Sequence, residues 1–107
     1  MKIVDYQQLA KTTSIYPKKY RVIYPALGLA GEAGEVAGKV KKLLRGDRRR
    51  TPQAITMIGE ELGDVLWYLA ATASDLGLDL NQVAIQNLKK LHDRQKRGVL
   101  KGSGDRR

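Results

Sequence analysis

Three of the four glutamates of this chain lie in two matching segments, each set in an otherwise apolar and glycine-rich stretch, and the fourth directly precedes one of them. The first reads Glu32-Ala33-Gly34-Glu35-Val36. The second, preceded by Glu60, reads Glu61-Leu62-Gly63-Asp64-Val65 and repeats the same order of acid, apolar residue, glycine, acid and valine 29 positions later. Carboxylates in the least polar part of a chain cost free energy unless something compensates them. Here they stand in a chain of formal net charge +9, gathered where they are hardest to keep. The pattern points to a bound cation. It also constrains the fold, because residues three apart share a helix face. Two such segments make two acid-bearing helical stripes that can balance a cation only if they meet.

The rest of the chain supports that reading. Residues 2–13 make a short first helix with Val4, Leu9 and Ala10 on its apolar side. Residues 14–25 carry two prolines and three tyrosines, which predicts an irregular connection. From 26 to 45, Leu29, Ala33, Val36, Val40, Leu43 and Leu44 recur at helical spacing, and Gly46-Asp47 ends the run. Thr51-Pro52 then supplies an N-cap and a proline at the first helical position of a third helix over 52–76. A fourth, capped by Asp79, spans 80–97. No segment alternates as a strand does, so the expected fold is all-α, of the four-helix-bundle type, with residues 1–97 as one domain. Residues 98–107, glycine-rich and basic, read as a mobile tail unless they fold over a ligand.

Composition narrows the chemistry. There is no cysteine and one histidine, which removes disulfides, thiolate metal sites and the usual zinc sites. No apolar run is long enough for a membrane span and no secretory signal is evident, so the expected compartment is the cytoplasm. The excess of 20 Lys and Arg over 11 Asp and Glu favours anionic partners.

If the second and third helices pack together, Glu32, Glu35, Glu61 and Asp64 converge. Four nearby carboxylates repel, and some stay protonated without a counter-charge. Mg²⁺ and Mn²⁺ suit an oxygen-only donor set, and Mg²⁺ readily shares its shell with phosphates. The alternative, salt bridges from these acids to Lys39, Lys42 or Arg45 on a solvated face, fits less well. Between 26 and 38 the two glutamates are the only polar side chains. Gly28, Gly31, Gly34 and Gly38 line one side of the second helix and would let another helix, or a base and sugar, approach its backbone.

At these residues the chain resembles the MazG-like all-α nucleoside triphosphate pyrophosphohydrolases. Gly28-Leu29-Ala30-Gly31-Glu32-Ala33-Gly34-Glu35-Val36 is similar to that family's Glu-x-x-Glu motif, and Glu61-Leu62-Gly63-Asp64-Val65-Leu66-Trp67-Tyr68 to its Glu-x-x-Asp motif. On the fourth helix Asn87, Lys90 and Arg94 match the family's Asn, Lys and Arg positions, and their i, i+3, i+7 spacing gives them one face. The resemblance implies hydrolysis of an NTP or dNTP to the monophosphate and pyrophosphate by a homodimer or homotetramer, in a role such as nucleotide-pool clean-up. It implies that Glu32, Glu35, Glu61 and Asp64 are the catalytic residues and hold Mg²⁺, with Mn²⁺ as a substitute. One of these glutamates, or a water held at the metal, would supply the nucleophile. Lys90 and Arg94 would balance triphosphate charge, and Asn87 would hydrogen-bond the nucleotide or a metal-held water. Lys39 and Tyr68, on the acids' own stripes, are further candidates for phosphate or sugar contacts.

Other readings stay open at this point. The basic excess fits a helical nucleic-acid-binding module, although that gives no reason for acids on apolar helices. The same fold also fits a nucleotide sensor without turnover. Nucleic acid is therefore not expected as the main partner. Tyr6, Tyr16 and Tyr20 are candidates for a base pocket, and Trp67, off the acidic stripe, reads as a subunit-packing residue.

Overall fold

The computed structural model describes all 107 residues as four α-helices and no strand: α1 Ile3–Lys11, α2 Ile23–Arg45, α3 Pro52–Asp75 and α4 Leu80–Lys96, with a 3-10 turn at Lys18–Tyr20. The all-α expectation is met. α2 begins three residues earlier than the periodicity suggests, and its buried Pro25 sits in the first turn, where a missing N–H leaves no bond unmade. Thr51 caps α3, accepting from the Ala54 N–H at 3.1 Å. Asp79 caps α4 through the Asn81 and Gln82 N–H groups. Gly46, at φ 84°, takes the left-handed conformation that ends α2.

α2 and α3 are antiparallel, as the facing pairs show. Gly28 lies against Tyr68, Glu32 reaches Asp64, and Lys39 reaches Glu61, so residue numbers fall on one helix as they rise on the other. α1 packs on α3 and α4, and α4 also touches α3. The core sits at that junction. Ala10, Ala70, Ala73 and Leu80 are buried together, with Ile3, Tyr6 and Trp67 packed on them. Small side chains on α3 let α1 lie close.

One polar group is built into this core. Gln7 is buried; its Nε2 donates to the Ser74 Oγ at 3.1 Å and the Leu78 carbonyl at 2.8 Å, and its Oε1 accepts from the Leu80 N–H at 2.8 Å. It therefore stitches α1 to the turn between α3 and α4, and leaves none of its burial cost uncompensated.

The single chain is open. Only nine of its 107 residues are buried, and its radius of gyration is 16.7 Å. A compact domain of this length has about 13 Å. Leu27, Leu44 and Leu62 are 70%, 89% and 52% exposed, so the α2–α3 pair leaves apolar surface uncovered. The glycine side of α2 is uncovered too. A Cβ on Gly31, Gly34 or Gly38 meets nothing within 4 Å, whereas Gly28 lies directly under the Tyr68 ring. Close approach thus explains one of the four glycines within the protomer. Gly34→Ala is expected to raise the stability of the isolated chain by up to about 1 kcal/mol through helix propensity. Urea unfolding at concentrations where sedimentation shows a monomer measures it.

Candidate metal centre and aromatic pocket

Helical spacing places Glu61 and Asp64 on one face of α3, and the antiparallel pairing brings Glu32 of α2 onto it. One carboxylate oxygen from each of Glu32, Glu61 and Asp64 lies within 4.8 Å of the others. Glu32 and Glu61 are half-buried and Asp64 is exposed. Glu35 lies outside this group, exposed, one turn further along α2. Three of the four expected acids are therefore together within one protomer. Lys39 closes the other side, its Nζ 3.5 Å from the Glu61 carboxylate.

The crowding shows in the proton affinity of Glu32. Partial desolvation, a Glu61 carboxylate close enough to share a proton, and the charges of Asp64, Glu61 and Glu35 all raise its pKa above the ordinary glutamate value. The folded chain thus binds a proton at Glu32 more readily than the unfolded chain does. Without metal, stability is expected to fall as pH rises from the ordinary glutamate value through the raised folded one. Glu32→Gln should remove that slope, and thermal melts across the mildly acidic range check it.

An aromatic pocket of about 640 Å³ adjoins the acids, a size suited to a small-molecule ligand. Glu32 and Asp64 line it together with Tyr16, Tyr24, Trp67 and Tyr68. Tyr16 stacks on Tyr24 with centroids 4.9 Å apart and planes at 26°. Tyr68 meets Trp67 edge to face at 5.0 Å. The Trp67 indole N–H donates to the Thr13 Oγ1 at 2.7 Å, which fixes the ring against the segment after α1. Burial, the Tyr24 hydroxyl beside it and the charges of Glu32 and Asp64 raise the Tyr68 pKa, so its hydroxyl stays protonated as a donor. A recess of similar size at the N-terminal end of α3, around Arg48, Arg49 and Thr51, has no carboxylate in its lining.

The α4 candidates are placed elsewhere in the protomer. Asn87 and Lys90 are exposed beside a recess formed with Leu78, Asp79 and Val83. Arg94 is buried, with its Nη2 donating to the Asp105 carbonyl and its Nε unpaired. Residues 98–107 fold back on α4 as a bonded loop, in which the Arg107 guanidinium donates to the carbonyls of Val99, Leu100 and Gly104. Where composition suggests an open tail, arginine donors meeting local carbonyls give a closed one.

The tyrosine reading is redistributed in the same way. Tyr16 lines the pocket, Tyr6 packs on the core, and Tyr20 lies exposed under the Lys19 ammonium. Trp67 is engaged within the chain, since α1 ends early enough for Thr13 to reach it. Tyr24 was missed. A tyrosine at the start of α2, about two turns before Glu32, was the available signal for Tyr24.

Residues 25–99 match the family model described as the MazG nucleotide pyrophosphohydrolase domain. The chain belongs to the MazG family. The match covers α2 from Pro25 onward and all of α3 and α4. A relative, the Gene 37 protein of Mycobacterium phage L5, is 44% identical over 114 residues, covering the whole of both chains; its name states no activity. No solved structure matches the chain. In this MazG domain the donor set fits a cation on its own chemistry: three carboxylates, oxygen ligands only, with mutual repulsion offset by a single lysine. No helix is long and apolar enough to cross a membrane.

Proposed function

We propose that this protein is a metal-dependent pyrophosphohydrolase that converts an NTP or dNTP to the monophosphate and pyrophosphate. One observation carries the reading: Glu32 and Asp64 belong both to the carboxylate cluster and to the wall of the aromatic pocket. A nucleotide has the same two parts, a polyanion and a π-faced base, a short distance apart. The base stacks against the Tyr16, Tyr24 and Trp67 rings, a contact that every base can make.

Glu32, Glu61 and Asp64 would hold Mg²⁺, or Mn²⁺ in its place, and Glu35 would join them by side-chain rotation. The ion would neutralise charge on the phosphates and position them for attack. One of these glutamates would take the proton of the attacking water. The water oxygen bonds to phosphorus as the anhydride bond between the α and β phosphates breaks, and pyrophosphate leaves. Lys39, held at Glu61, and the Tyr68 hydroxyl would contact phosphate or sugar. The uncovered apolar surface of α2 and α3 supports a homodimer or homotetramer. In such an assembly Asn87 and Lys90 of a second copy could reach the phosphates.

The deciding measurement is product release over a panel of canonical and altered nucleotides with Mg²⁺ and Mn²⁺. Pyrophosphate in place of orthophosphate from at least one nucleotide is expected. Metal-dependent binding with no turnover across the panel would identify a sensor instead.

A further inference from the structure

Asp75, the last residue of α3, makes two bonds that the reaction itself does not call for. Its Oδ2 accepts from the Tyr16 hydroxyl at 2.7 Å and from the Val22 backbone N–H at 2.9 Å. These donors bracket the 3-10 turn, so a single carboxylate oxygen closes the whole 16–22 connection onto α3. Asp75 serves no ion pair, although Lys11, Lys18 and Arg21 line the same recess.

The backbone at Val22 shows what that closure holds in place. Val22 has φ 68° and ψ −53°, and the Ile23 N–H reaches the Arg21 carbonyl at 2.7 Å. This is the strained form of γ-turn, at a β-branched residue poorly suited to positive φ. Such a conformation persists only where its surroundings over-determine it. The strain turns the chain sharply into α2 and sets Tyr24, two residues on, against Tyr16. Tyr24 in turn lies tilted over Tyr68 at 6.3 Å, and Tyr68 borders Glu32 and Asp64 in the pocket wall.

We propose that Asp75 is a positioning residue for the nucleotide, holding the Tyr16–Tyr24 wall of the pocket at a set distance from the acidic cluster. The inference rests on the pyrophosphohydrolase reading and names the part of the substrate affected, the base. Its action runs through Tyr16 and Val22, and Asp75 itself touches no substrate.

Trp67 is the only tryptophan and lines the pocket, so its fluorescence reports occupancy without turnover. The full chain with Mg²⁺ is titrated with an α,β-methylene nucleoside triphosphate, which resists cleavage, and with inorganic tripolyphosphate, which has no base. Asp75→Ala is expected to weaken the nucleotide about tenfold, the loss of one charge-assisted hydrogen bond or more, while tripolyphosphate stays within about twofold. Asp75→Asn, which keeps an acceptor oxygen, restores part of the affinity. Tyr16→Phe, which keeps the ring and removes one donor, shifts the nucleotide in the same direction and covers the case of a misfolded alanine variant. In turnover the change falls on KM, with kcat little altered. Equal weakening of both probes, or a lower melting temperature with both affinities unchanged, overturns the inference. If the wild type turns over nucleotides and the Asp75 variants bind as well as it does, the inference alone fails. A wild type that neither binds nor hydrolyses any nucleotide removes the enzyme reading, and this inference with it.

Discussion

Asp64→Asn is expected to lower pyrophosphate release about a thousandfold while leaving the helices intact. Metal coordination contributes several kcal/mol of charge stabilisation to such reactions, and each 1.4 kcal/mol is tenfold in rate. Asp64 stands within 4.8 Å of both other carboxylates, so its removal breaks the cluster whichever of them leads. The effect on stability runs the opposite way. In the metal-free chain desolvation, the Glu61 carboxylate beside it and the charges of Asp64, Glu61 and Glu35 together raise the pKa of Glu32, so part of that rise is repulsion from Asp64. Neutralising Asp64 is therefore expected to raise the melting temperature of the metal-free protein and to abolish the further rise expected of the wild type with Mg²⁺. Circular dichroism melts with and without Mg²⁺, beside a pyrophosphate assay, test both halves. A variant that melts lower without metal would show that Asp64 is held by favourable contacts, against the reading of an acid kept for a cation.

Gly28→Ala is expected to destabilise the fold by about 1–2 kcal/mol and to damage the pocket at the same time. Two effects compete. Alanine gains up to about 1 kcal/mol of helix propensity over glycine in a helix interior. Against this, the added methyl would fall inside the contact envelope of three atoms of the Tyr68 ring. Overpacking of that kind costs about 1–3 kcal/mol. The ring has little freedom to yield, since it meets Trp67 edge to face and Tyr24 from another side. The overpacking term wins. Displacing Tyr68 moves a wall next to Glu32 and Asp64, so KM for the nucleotide should rise along with the loss of stability. Urea unfolding and steady-state kinetics measure the pair. Gly34→Ala is the internal control, because the same change over open space is expected to act in the opposite direction. A Gly28→Ala protein with wild-type stability and KM would show that Tyr68 is free to move.

Much of the fold was legible in the sequence because its signals are local. Apolar spacing along 26–45 and 52–76, the Thr51-Pro52 start and the Gly46 stop each act within a few residues, and α2 and α3 follow them closely. The doubled acid–glycine–acid motif also spoke directly, because spacing of three on a helix leaves no choice of face. What was not legible depends on contacts far apart in sequence. Gln7 reads as an ordinary exposed polar residue of a short helix, yet its bonds reach residues 74, 78 and 80. Asp75 looks like a helix-end acid, yet it closes a connection more than fifty residues away.

The two acidic motifs show the division most clearly. By itself the sequence determined four helices, the stripe on which each acid lies, and the need for a counter-charge, all consequences of helical periodicity and the cost of burying carboxylates. Only the tertiary structure decided that Glu32, Glu61 and Asp64 meet while Glu35 stays outside, since that depends on the register between α2 and α3. It also decided that Arg94 is turned under the C-terminal loop and that an aromatic pocket opens beside the acids. Periodicity specifies which way a side chain points from its own helix. What it meets there is set by packing between segments distant in the chain.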